Sequence, residues 1–295
     1  MTYCRKSNVR SVTLFVAVIV FAISDARATD YYIDSVGGND SAAGTATNTA
    51  WKSHTKAESA TFSAGDVVHF KCGSAFTGPI EIGESGTAGN MIRLTSYGTG
   101  ERPRFTNPDT NNKNGNCIRL KGDYIIVDGL HFHDTPGDPS GSWIMTRLGA
   151  VRIMRYADHN IISNNVFTLT GQGIISAGEH TLITHNDLDG PSFALWRTDT
   201  SSWGPMGIHL NIGNQEVSYN TIKNFATADS PWGSDGGAIE IDYGYYHKTN
   251  IFIHHNYSEG NAGFLESSWD YDWPQYSREV YNWRVSFNVC YDGQS

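Results

Sequence analysis

Three acidic residues in the second half of the chain have spacings suited to acid–base chemistry: Glu240, Asp242 and Glu266. Residues 238–242 read AIEID, with Ile239 and Ile241 alternating with the two acids. Side chains alternate across a strand, so the isoleucines share one face and Glu240 and Asp242 the other. Residues 264–267, FLES, repeat the arrangement with Leu265 inward and Glu266 outward. If these strands are neighbouring rungs, Glu240 and Glu266 stand about 5 Å apart on one outer face. Like charges directly opposite destabilise a sheet, and carboxylates sharing a site separate in proton affinity. One then suits an acid and the other a base or nucleophile, the pair that glycoside hydrolysis requires. A separation of about 5–5.5 Å suits retention and a wider one inversion. Asp242, about 6.6 Å along the strand from Glu240, is an alternative second carboxylate. The plainer reading is a solvated charged stripe.

Positioning these groups requires strands that stack in register. Aligning inward residues places Val151-Arg152-Ile153, Ile208-His209-Leu210, Ile239-Glu240-Ile241 and Leu265-Glu266-Ser267 on successive coils. The outward column becomes Arg152, a rung near Ile175, His209, Glu240 and Glu266. His209 and Arg152 can then bind substrate hydroxyls or a carboxylate; the plainer readings are a surface His and an Arg too far from the pair to matter. A repeat supports the stacking. Strands end in Asn at Asn165, Asn186, Asn220, Asn256 and Asn288, spaced 21, 34, 36 and 32 residues apart. The shortest spacing fits one coil of three short strands, and the longer ones add a loop to it. An Asn at one turn of every coil can bond the Asn above and below, and it tolerates a left-handed backbone.

The inserted loops, residues 191–206, 226–237 and 267–280, adjoin the acidic column and are rich in aromatics. Loops on a rigid scaffold concentrate binding residues, and aromatic rings suit the C–H faces of sugars. Trp203, Trp232, Tyr243 and Trp269 are therefore candidate substrate contacts, with Asp235 and Asp270 beside them. The alternative for each Trp is packing of its loop onto the coil. His254 and His255 are read as structural.

The N-terminal half reads as strands over residues 31–34, 67–72, 79–82 and 91–96, with a short helix over 51–62 that turns Trp51 and Phe62 to the core. Before it, a basic start (Arg5, Lys6, Arg10), an apolar run over 12–23 and Ala26-Arg27-Ala28 form a signal-peptide pattern, which predicts a mature protein starting at Thr29 and exported to the periplasm or medium. The run is short for a membrane span, and no later segment is long and apolar enough for one. Removing residues 1–28 leaves 17 basic and 29 acidic residues, a net charge of −12. Such a chain is a poor partner for nucleic acid or anionic membrane. Cys72, Cys117 and Cys290 then remain, odd in number and widely spaced, so no disulfide or zinc pattern exists and a buried apolar role is expected.

These features together resemble the right-handed parallel β-helix, or pectin-lyase-like, superfamily. Residues 31–103 are similar to the N-terminal cap and first rungs of secreted bacterial members, and DGGAIEIDYGYYHKTNIFIHHNYSEGNAGF, residues 235–264, is similar to a coil shared by many carbohydrate-active members. The implied fold is an all-β, single-stranded right-handed parallel β-helix over residues 29–295 with an N-terminal cap that includes a short helix. The chain stops just after a strand, so a C-terminal cap is expected beyond residue 295. The resemblance implies a substrate that is a plant or algal polysaccharide or its oligomers. The carboxylate pair implies hydrolysis, with Glu240 and Glu266, and Asp242 as substitute, for its chemistry. No cofactor is required and the protein is expected to act as a monomer. The runner-up is a lyase with Arg152, His209 or Lys248 as base and Ca²⁺ held by Glu240, Asp242 and Glu266. A third reading is a glycan-binding solenoid without catalysis.

Overall fold

The computed structural model describes residues 28–108, 115–135, 149–191, 196–197, 202–230, 233–242, 247–267 and 280–292. Short apolar-alternating segments separated by turn residues cannot each bury a face alone, so they stack. The chain visits three sheets in rotation, and within these sheets each strand pairs in parallel with its neighbours from adjacent coils. The sheets hold nine, eight and seven strands. The first runs from Asp30–Ile33 to Val280–Ser286, the second from Ala75–Thr77 to Val289–Tyr291. The third, the site sheet, runs through Val151–Ile153, Gln172–Ser176, Met206–Leu210, Gly237–Ile241 and Leu265–Ser267. This is a parallel β-helix.

The interior is filled by columns of like residues. Phe76, Phe105, Phe132 and Phe167 follow one another up the second sheet, with ring centroids 5.0, 5.9 and 4.9 Å apart. Isoleucine columns line the site sheet: Ile118, Val151, Ile174, Ile208 and Ile239 are buried and in register. At Gly207 a Cβ would stand 2.7 Å from the Ala238 carbonyl oxygen and 2.7 Å from Ile222 Cγ2, so only glycine lets these coils approach. The helix of the cap is shorter than the sequence suggests, His54–Glu58, with Ser53 capping it by accepting from the Lys56 N–H. Trp51 and Phe62 lie outside it but are buried as expected. Among the described residues no helix is long and apolar enough to cross a membrane.

The recurring Asn forms a buried ladder. Each Nδ2 donates to the Oδ1 of the next, Asn165 to Asn186 at 3.1 Å, then Asn186 to Asn220, Asn220 to Asn256 and Asn256 to Asn288 at 3.0 Å. The left-handed backbone, however, belongs to the residue before each Asn: Asn164, His185, Tyr219, His255 and Phe287 have φ between 54° and 57°. That geometry turns the preceding side chain outward and leaves the Asn facing in. The outward residues make a ladder of their own, His185, Tyr219, His255 and Phe287 stacking at 5.0, 4.8 and 5.1 Å. A second amide ladder, with no mark noted in the sequence, links Asn282 to Asn250 and Asn250 to Asn214 at another corner. Of the three cysteines among the described residues only Cys117 is buried. Cys72 is half-buried and Cys290 exposed, and all are free thiols, so the buried role expected of all three holds for one.

Candidate functional site

The acidic column has the expected register. Arg152 pairs with Ile175, Ile175 with His209, His209 with Glu240 and Glu240 with Glu266. The indistinct rung is Ile175 itself. Adjacent parallel strands lie about 4.8 Å apart, so Glu240 and Glu266 occupy neighbouring steps of one outer face. Their surroundings differ. Glu266 is exposed, whereas Glu240 is 8% exposed although it points away from the core. Asp242 falls just past the strand Gly237–Ile241 rather than inside it, half-buried, with its N–H donating to the Leu210 carbonyl at 3.2 Å.

His209 is also outward-facing and completely buried, not a surface residue, and neither ring nitrogen has a hydrogen-bond partner. Burial pushes its pKa down to about 4, with Lys248 and Arg152 acting in the same direction and Asp242 opposing them. The imidazole is therefore uncharged at neutral pH. Lys248, at the start of Lys248–His254 in the nine-stranded sheet, is buried as well, and its Nζ donates to the Asn211 carbonyl at 2.6 Å. Burial lowers this ammonium to about 8, against the upward pull of Asp242. These mutual effects place Arg152, Asp242 and Lys248 near His209, the register partner of Glu240. In the sequence Lys248 stood out only as a candidate lyase base. The available signal was a cation opening an otherwise uncharged apolar strand, KTNIFI.

The inserted loops are partly described. Trp203 and Asp235 belong to two antiparallel hairpins, Trp196–Arg197 with Ser202–Trp203 and Thr227–Ser230 with Gly233–Asp235, each preceding a strand of the site sheet. Trp232, Tyr243, Trp269 and Asp270 lie outside the described residues. Among the described residues no three His, Cys, Asp or Glu side chains form a group that could hold a metal ion. His254 and His255 lie on the nine-stranded sheet and its corner, away from the acidic column.

No model of a known protein family matches the chain, and no curated protein matches it. Solved structures do. XylC in complex with xylose is 12% identical over 90% of this chain and 62% of that one, with a TM-score of 0.61. The GH136 lacto-N-biosidase from Eubacterium ramulus is 15% identical over 80% of this chain and 57% of that one, with a TM-score of 0.49. A rhamnogalacturonan lyase is 12% identical over 81% of this chain and 73% of that one, with a TM-score of 0.48. The chain thus spans about six tenths of the length of the first two. With the coil-by-coil parallel pairing, the likeness to XylC establishes the architecture: the chain folds as a parallel β-helix.

Proposed function

We propose that the protein is an exported glycoside hydrolase that cleaves a plant or algal polysaccharide or its oligomers with the pair Glu240 and Glu266. The observation that carries this reading is their register: two outward carboxylates on adjacent rungs, one enclosed and one exposed. Paired carboxyls take opposite roles when their environments differ. Glu240, withdrawn from water, is assigned as the acid, and Glu266 as the nucleophile. The rung spacing of about 4.8 Å is close to the 5–5.5 Å of retaining enzymes. Arg152 and the aromatic hairpins would hold the sugar, whereas the buried His209 would back the wall behind Glu240. The solved complex of XylC with xylose supports a sugar as ligand for this architecture. Residues 1–28 would be removed on export, so the isolated protein should begin at Thr29.

The test is a panel of polysaccharides and aryl glycosides, with wild type, Glu240→Gln and Glu266→Gln. Each variant should lose about 10²–10⁴-fold in turnover, with no effect of chelator on wild type. Activity untouched in both variants discards the pair. One observation favours a second reading, a lyase acting on a uronate polymer. Lys248, brought down to about 8 by burial, has the proton affinity of a general base. A lyase would release an unsaturated product that absorbs in the ultraviolet, which a hydrolase does not.

A further inference from the structure

The outer face of the nine-stranded sheet carries a cleft of about 260 Å³ on a different side of the coil from the acidic column. Leu182, Glu216 and Phe252 lie in register on its successive rungs, each half-buried and facing outward. The middle side chain is drawn aside. Ser218 Oγ donates to Glu216 Oε1 at 3.1 Å, and His254 Nε2 stands 3.3 Å from the same oxygen. A slot two rungs wide is left between Leu182 and Phe252, about 9.6 Å from strand to strand. Glu216 Oε2, which has no partner among the described residues, borders it. Its walls present flat faces. Arg284 of the next coil lies over the Phe252 ring at 5.5 Å, so the opposite face turns to the slot. His180 stacks on His159 at 4.6 Å with one face. The next residue at that corner, Asn214, donates its amide to Glu179 at 3.1 Å instead of covering the imidazole, and both line the cleft.

Flat apolar walls beside an open carboxylate oxygen suit a ring with C–H faces and hydroxyl edges. The volume is under the roughly 300–1,000 Å³ of sites for drug-sized ligands and matches a single sugar ring. Glu216, in a chain of net charge −9, turns away uronates and sulfated sugars. We propose that this slot is a second glycan-binding site, which takes one uncharged pyranose unit of a polysaccharide between Phe252 and Leu182 with its hydroxyls on Glu216. The inference rests on the reading of the protein as acting on glycans and adds to it an anchor that holds the polymer without cleaving it.

Methyl NMR of the protein tests it, with the Leu182 signals assigned by their loss in Leu182→Val. Xylohexaose, cellohexaose or mannohexaose should move these signals saturably, with a Kd of about 1 mM or tighter for at least one of them. Hexagalacturonate should leave them in place. Phe252→Ala, which truncates an outward side chain and spares the core, should weaken the binding at least about tenfold. Its turnover of aryl glycosides should stay within about twofold of wild type. Leu182 signals unmoved by all three neutral sugars at about 10 mM overturn the proposal. So does a shift that hexagalacturonate reproduces or that Phe252→Ala leaves unchanged. Loss of turnover in Phe252→Ala as large as in Glu240→Gln also overturns it, because the slot would then belong to the catalytic site. A wild type that binds a neutral sugar in the slot and cleaves nothing defeats the hydrolase reading alone.

Discussion

His209 shows how far a single residue can depart from its sequence context. An outward position on a strand suggests exposure, yet the ring is closed to solvent with both nitrogens unsatisfied. Its folded pKa, about 4, lies below the ordinary 6.5, because burial disfavours the imidazolium. Between these values the unfolded chain holds a proton that the folded one refuses. Stability therefore rises with pH from about 4 to 6.5, is fully present above that window and is lost as pH falls through it. The contribution is on the order of 3 kcal/mol. Urea unfolding of wild type and His209→Gln across pH 4–7 should show the slope in wild type and a flatter line in the variant. Parallel lines would mean that the ring is hydrated or hydrogen-bonded in solution.

At the scale of elements, the corners set the coil. Asn220 accepts from both the backbone N–H and the Nδ2 of Asn186, and it donates to Asn256 Oδ1 and to the carbonyls of Ile183 and Ser218. Asn220→Ala leaves several buried groups unpaired and should cost about 2–4 kcal/mol in denaturant unfolding. Asn288→Ala, at the end of the ladder, should cost less; the reverse order would contradict the ladder as the stabilising unit. Leu169 offers a gain instead. It lies inside the strand Val166–Thr170, at a position skipped by the pairing with His131–Thr135, with φ 55° and 48% exposure. Glycine carries no penalty in that region, so Leu169→Gly should stabilise the fold by up to about 1 kcal/mol in the same measurement.

For the whole molecule, a stacked coil means that each rung contacts only its neighbours, so damage stays local. Trp51 closes the cap: it stacks on Tyr31 at 5.2 Å, and its indole N–H donates to the Ala42 carbonyl at 3.1 Å. Trp51→Ala should remove about 3–5 kcal/mol from the cap. Hydrogen exchange should then quicken in Asp30–Ile33 and Val67–Lys71 and stay slow in Met206–Leu210 and Gly237–Ile241. Uniform loss of protection would indicate a single cooperative unit rather than a chain of coupled coils.

Much of this fold is written in local pattern. The Asn spacing, the alternation in AIEID and FLES, and the Val151, Ile208, Ile239 and Leu265 alignment determine the coil and place Glu240 opposite Glu266 without any knowledge of distant contacts. The reason is that side-chain direction in a strand follows from backbone geometry alone, and a one-residue slip would turn every isoleucine out to water. Burial on the outer face is a different quantity. The enclosure of Glu240 and His209, the burial of Lys248 against the Asn211 carbonyl and the outward turn of Tyr219 before its Asn depend on how separate coils and corners meet in space. Nothing within a few residues of each side chain encodes whether solvent reaches it, and the tertiary structure alone decided which of these charged groups are withdrawn from water.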